Sequence, residues 1–279
     1  MSNRLGPSMT PCFCYISPIA TLNHVAQFDT HLVLAHLVLT NEHYRRFYED
    51  LGKRGDTIIM DNSAFELGAS FDPNMLMELG ESINATCLVL PDYPNHDPSR
   101  TIAAAEEWAR KFSRKFQTMF VPQSSTGDLN GWLRAYDFAA NYRYIDAIGM
   151  SILGIPNALP DVPRNMARII MTQKLIEQNR VAKKYHHYLG LNGSPNVEIP
   201  ALLAQGLLNS IDSSNPFWTA YCGIGYNPSY EAYAGVSKQF LPPVDFMSRL
   251  RDDTHHTGVT PELEMLIKNN ISLTEKLFS

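Results

Sequence analysis

Two acidic strings hold the chemistry this chain is equipped for. Asp61-Asn62-Ser63-Ala64-Phe65-Glu66 follows the apolar run Thr57-Ile58-Ile59-Met60, and Ile211-Asp212-Ser213-Ser214 follows Leu207-Leu208-Asn209-Ser210. Each sets a carboxylate at the exit of an expected β-strand. Two carboxylates facing one sugar can cut and remake a glycosidic bond, one as nucleophile and the other as proton carrier. Singly, each has a plainer reading: Asp61 as the turn that ends a strand, Asp212 as a helix cap.

Such residues meet only if the elements between them bring strand ends together. Eight short β-rich runs recur, at Cys12–Ser17, His31–Val38, Thr57–Asp61, Cys87–Pro91, Thr118–Pro122, Ala147–Ser151, His187–Leu191 and Ser210–Asp212. Helical stretches separate them, with apolar positions such as Ile102, Ala105, Ala109 and Phe112 at the helical period. Asp72-Pro73, Asp97-Pro98 and Thr260-Pro261 read as helix starts, and the Pro-rich stretch Ile155–Pro163 as a loop. The expected fold is an α/β (β/α)8 TIM barrel. It forms one domain over residues 1–279, with a C-terminal helical segment over about 243–279. In such a barrel the strand-end residues Asp61, Asp92, Gln123, Gly149, Ser151, Gly190, Asn192 and Asp212 converge on one mouth.

Composition narrows the classes. Net charge is -5, so the whole chain is no polycation, and the four cysteines include no CxxC pair, which argues against a disulfide framework or a zinc knuckle. The longest apolar runs are strand length, short of the roughly 20 residues that span a bilayer, and no secretory signal is visible. A cytoplasmic protein without a membrane partner is expected. His31, His36, His43 and the pairs His186-His187 and His255-His256 lack a metal-ligand spacing, so no metal is expected. Arg110, Lys111, Arg114 and Lys115 read as a solvated helix face. Arg164, Arg168, Lys174, Arg180, Lys183 and Lys184 face only Glu177 as an acid, and a helix that basic would track phosphates or lie in solvent.

The order of these strings resembles the tRNA-guanine transglycosylase family, most closely its phage branch of DNA 7-deazaguanine transglycosylases. Asp61-Asn62-Ser63-Ala64-Phe65-Glu66 is similar to that family's Asp-Ser-Gly-Gly-Phe-Gln, and Asp92 to its base-reading Asp. Val121-Pro122-Gln123-Ser124 resembles Val-Gln-Gly, and Ile148-Gly149-Met150-Ser151 weakly resembles Gly-Gly-Leu-Ala. Tyr188-Leu189-Gly190-Leu191-Asn192-Gly193 looks like Tyr-Leu-Met-Gly-Val-Gly, and Asp212-Ser213-Ser214-Asn215-Pro216 like the nucleophile string. The likeness covers about residues 55–220. The family's Cys-x-Cys-x-x-Cys plus His zinc site is missing, with only Cys222 in that part of the chain, and Glu66 replaces a Gln.

What the resemblance implies is base exchange in nucleic acid. Asp212 would attack C1′ and Asp61 would carry the proton. Phe65 would stack on the base while Asp92 and Gln123 read its Watson–Crick edge, with Ser63, Gly149, Ser151, Leu189 and Gly190 completing the pocket. Arg164, Arg168 and Lys174 would contact phosphates. The partners implied are DNA, with tRNA the runner-up, and a free base such as 7-cyano-7-deazaguanine, in the host cytoplasm if the chain is phage-encoded. No cofactor is needed. A nucleoside or glycoside hydrolase and a non-catalytic nucleic-acid-binding barrel remain open.

Overall fold

The computed structural model describes residues 4–191, 195–227 and 259–279, except the side chains of Phe65 and Glu66. Eight parallel strands run β1 (Cys12–Tyr15), β2 (Thr30–Leu34), β3 (Thr57–Asp61), β4 (Cys87–Val89), β5 (Gln117–Phe120), β6 (Ala147–Gly149), β7 (Tyr185–Tyr188) and β8 (Ser210–Ser213). Their order in the sheet is β1-β8-β7-β6-β5-β4-β3-β2. β1 and β2 lie side by side with no ladder between them among the described residues, so the barrel is nearly closed. It is a single domain of TIM-barrel type.

Helices link the strands: α1 (Ala35–Thr40), α2 (Glu42–Arg54), α3 (Ala64–Leu67), α4 (Pro73–Ser82), α5 (Pro98–Phe112), α6 (Leu129–Asn141), α7 (Gly154–Ala158), α8 (Arg164–Glu177), α9 (Pro195–Gln205) and α10 (Asn215–Tyr221). Their starts are written locally. The Asp72 carboxylate accepts from the N–H groups of Asn74 and Met75, and that of Asp97 from Ser99, each with a proline in the first turn. On α5, Thr101, Ala105, Ala109 and Phe112 are buried, and on α6 Trp132, Ala135, Tyr136 and Ala139; these are the stripes that pack on the barrel.

Three expectations need correction. The run His31–Val38 is not one strand: β2 stops at Leu34, and Ala35–Thr40 turns into a largely apolar helix. A short apolar run does not distinguish a buried strand from a buried helix. β7 begins two residues earlier than expected and ends at Tyr188, because the chain turns at Gly190 with φ 74. Within Ile155–Pro163, Ile155 to Ala158 belong to α7, where Pro156 sits in the first turn and leaves no internal helix bond unmade.

A terminal helix, Pro261–Glu275, closes the outside of β1. The Tyr15 hydroxyl donates to Glu275 Oε1 at 2.6 Å, and burial pushes the Glu275 carboxyl up from its ordinary pKa. Asn270, fully buried, donates to the carbonyls of Pro216 and Ile224 and accepts from the Tyr226 N–H. Of the helical segment expected over about 243–279, residues 243–258 lie outside the described residues, as do His255 and His256.

The outer face of β7 makes a pH-dependent contribution to stability. His186 is fully buried; its Nδ1–H donates to the Lys184 carbonyl and its Nε2 accepts from the Tyr136 hydroxyl at 2.9 Å. Burial pushes its pKa down to about 4. The unfolded chain therefore binds the proton first as pH falls, so stability is lost between about pH 6.5 and 4, by up to ~3 kcal/mol from this group. Urea unfolding followed from pH 7.5 to 4.5 should show this loss, and His186→Gln should flatten that part of the profile.

Candidate active site

Side chains alternate along each strand, and one set meets inside the barrel. At the C-terminal mouth these are Leu32 and Leu34 of β2, Asp61 of β3, Val89 of β4, Val121 just past β5, Leu189 just past β7, and Asp212 of β8. Together with Ile16, Asn62, Asp92, Gln123, Ser151, Ile152, Leu153 and Gly190 they border a cavity of about 240 Å³. Asp61 and Asp212, far apart in sequence, share it. The small volume and apolar walls suit a small molecule or one extruded base.

Asp212 is 3% exposed and sits among those walls. A carboxylate there needs donors, and Oδ1 has two: His187 Nε2 at 2.9 Å and the Gly190 N–H at 3.0 Å. His187 Nδ1 lies 2.5 Å from Ser210 Oγ, so the imidazole is held at both nitrogens. Oδ2 has no partner among the described residues. Asp61 is half-buried, and its Oδ2 accepts from the Ser63 N–H at 2.8 Å.

The third carboxylate is solvated differently. Asp92 Oδ1 accepts from Asn62 Nδ2 at 2.8 Å and Oδ2 from Gln123 Nε2 at 2.7 Å, while Ser70 Oγ donates to its backbone carbonyl. Burial still raises its pKa, against the lowering by these donors. Asn62 also donates to the Leu90 carbonyl, which ties the β3 exit to the β4 exit. Gln123 Oε1 is buried without a hydrogen-bond partner. It is closed off from solvent and lies against Gly154, where a Cβ would come within 2.7 Å of it.

The expected substrate contacts divide. Asp92, Gln123, Ser151, Leu189 and Gly190 border the cavity, although the Ser151 hydroxyl accepts from the Leu153 and Gly154 N–H groups and Gly190 spends its N–H on Asp212. Ser63 does not border it. With φ 54, its hydroxyl turns to His36 Nδ1 at 2.9 Å, and Asn62 takes the place expected of it at the pocket. Gly149 is a packing glycine, since a Cβ there would come within 2.9 Å of both Leu189 and Val121. The side chain of Phe65 lies outside the described residues, and so does Asn192.

The basic helix is corrected most. Arg168 is fully buried, so it cannot reach a phosphate. Its Nε donates to Glu198 Oε1 at 2.7 Å, and its other nitrogens donate to the carbonyls of Met150, Leu189 and Gly190. Lys184 likewise serves three carbonyls, those of Ala139, Tyr142 and Ile145, and Arg180 pairs with Asp137. A helix after a barrel strand runs away from the mouth, so Lys174 stands ~15 Å beyond Arg164 along the axis. Of the basic residues on α8 that reach solvent, Arg164, at the first turn, stands at the end of the helix toward the mouth. The sequence does not single out His187 or Asn62 as site residues, and it gives Arg168 a phosphate-binding role, because the roles of all three depend on partners distant in sequence. The one available signal was that His187 alternates with Tyr185 on a buried strand.

No protein family matches by sequence, and no curated protein does either. Solved structures do. An HpcH/HpaI aldolase from Desulfitobacterium hafniense is 9% identical over 86% of this chain and 96% of its own, with a TM-score of 0.50. A dihydrodipicolinate synthase from Agrobacterium tumefaciens is 12% identical over 96% and 98%, at 0.47. An N-acetylneuraminate lyase from Mycoplasma synoviae is 11% identical over 91% and 89%, at 0.46. The likeness is one of fold. One barrel hosts many reactions, so these names carry nothing about the chemistry at this mouth. Among the described residues no group of three or more His, Cys, Asp or Glu could hold a metal ion, and no helix is long and apolar enough to cross a membrane.

Arg168→Met removes the cation paired with the buried Glu198 carboxylate and takes the donor from the carbonyls of Met150, Leu189 and Gly190. It should cost ~3–5 kcal/mol by urea unfolding, whereas Lys174→Glu should stay within about 0.5 kcal/mol of the parent.

Proposed function

We propose that the chain is an enzyme that exchanges guanine in DNA for a 7-deazaguanine base, with Asp212 as nucleophile and Asp61 as proton carrier. The observation that supports this reading best is the state of Asp212. One oxygen is fixed by His187 and Gly190, and the other is bare toward a cavity that Asp61 also borders.

The chemistry is a double displacement. Asp212 Oδ2 attacks C1′ of the target nucleotide, the C1′–N9 bond breaks with its electron pair going to the purine, and Asp61 gives that purine a proton. The incoming 7-deazaguanine then loses its N9 proton to Asp61 and attacks C1′, and the carboxylate of Asp212 leaves. The steps need no outside oxidant or energy source. Guanine and 7-deazaguanines both present N1–H and a 2-amino group, two donors that suit the carboxylate oxygens of Asp92 at the cavity. A guanine in duplex DNA must first leave the stack, at a cost of about a few kcal/mol, so single-stranded or locally open DNA should be the better substrate. DNA is preferred to tRNA on the resemblance to the phage branch, and Arg164 is the basic residue best placed to meet a phosphate.

Offering guanine-labelled DNA and tRNA with 7-cyano-7-deazaguanine, then digesting each to nucleosides for mass spectrometry, tests the assignment. Modified deoxynucleoside is expected. Modified nucleoside in tRNA alone would move the target to RNA, and guanine release without incorporation would make the protein a hydrolase. Asp212→Asn should lower exchange by at least about 10³-fold and abolish any covalent adduct, because an amide keeps the shape without the nucleophile. Asp61→Asn should lose turnover while the adduct step slows for want of the proton.

A further inference from the structure

The Asp212 carboxylate has two oxygens in different surroundings, and the difference is built by residues outside the two acidic strings. Ser210 and Asp212 alternate on β8, so both side chains enter the barrel, and His187 of β7 stands opposite Ser210 in the ladder. That register puts the imidazole between them, Nδ1 at 2.5 Å from Ser210 Oγ and Nε2 at 2.9 Å from Asp212 Oδ1. All three are buried. When Ser210 donates to Nδ1, the ring is held as the tautomer whose Nε2–H donates to the carboxylate.

We infer that His187, seated by Ser210, is a positioning residue that reserves Oδ1 of Asp212 for hydrogen bonding and leaves Oδ2 as the reacting atom; this rests on Asp212 being the nucleophile. A carboxylate with one fixed oxygen cannot rotate, so the lone pairs of Oδ2 stay aimed into the cavity. Without the imidazole, only the Gly190 N–H holds Oδ1, and a single contact leaves the plane of the carboxylate free to turn. The loss falls on the bond-forming step, not on capture of the base, which is read across the cavity by Asp92 and Gln123.

The test compares variants for guanine exchange in single-stranded DNA, measuring kcat, KM for the incoming base, and the rate of adduct formation. His187→Leu should lower kcat and adduct formation by ~10²-fold, the scale of a misplacement of about an ångström, with KM within about threefold. His187→Gln sets an amide nitrogen where Nε2 stands and should recover at least about tenfold of that loss, while His187→Asn ends at the Nδ1 position and should not. Ser210→Ala should fall between, by about tenfold, as the ring loses its second anchor. Should His187→Leu fail to fold by thermal melting, the Gln, Asn and Ser210→Ala comparison still decides. An active parent with Gln and Asn variants of equal rate, or with the change in KM rather than kcat, would overturn the inference alone. A parent that releases no guanine and forms no adduct would overturn the reading of Asp212, and this inference with it.

Discussion

A carboxylate buried among apolar walls must be solvated by the protein, and much of the mouth is arranged around that need. Asp212 obtains its donors from β7: an imidazole on the strand and a backbone N–H just beyond it. The N–H is available because Gly190 turns at φ 74, a conformation that leaves its amide free of the ladder and aimed at β8. The carbonyl of that same peptide, from Leu189, points the opposite way and accepts from Arg168. Arg168 is itself a charge out of water, and Glu198 of α9 neutralises it. One ion pair behind the barrel thus fixes the peptide that holds the carboxylate inside it.

The mouth contains two further acids, and three bare carboxylates in so small a space would repel one another. The structure meets this by treating each differently. Asp61 keeps partial contact with solvent and one backbone donor, and Asp212 has two donors on a single oxygen. Asp92 is enclosed by Asn62, Gln123 and Ser70, and burial raises its pKa. Neutral donors on both of its oxygens solvate the Asp92 charge locally, which eases the repulsion while each oxygen keeps a lone pair to accept with.

The barrel was legible in the sequence because its signals are local. Eight apolar runs, each bounded by turn residues and followed by a helix start such as Asp72-Pro73 or Asp97-Pro98, need no long-range knowledge. Asp61 and Asp212 were legible for the same reason, as acids at strand exits. What sequence order could not show was direction and partnership. Arg168 looks like a member of a basic face until its helix is docked, when it proves to point inward. Ser63 lies one residue from Asn62, yet a left-handed backbone sends one to His36 and the other to the cavity. His187 reads as one of several histidines until β7 and β8 are placed in register.

Charge at the cavity wall separates the chemistries a barrel of this kind can host. The described lining contains three aspartates and no Lys, Arg or His, so an incoming phosphate or carboxylate would meet like charge without a compensating cation. A lysine able to form a Schiff base with a carbonyl substrate is not among those residues either. The same wall favours a group that becomes positive as it reacts and a partner that arrives with donors. Cleavage at a sugar's anomeric carbon passes through an oxocarbenium-like state whose positive charge lies next to the nucleophile. With Oδ1 of Asp212 taken up by two donors, the field of that carboxylate falls mainly on the side of Oδ2. Apolar walls of Leu32, Leu34, Val89, Val121 and Leu189 keep water from weakening it.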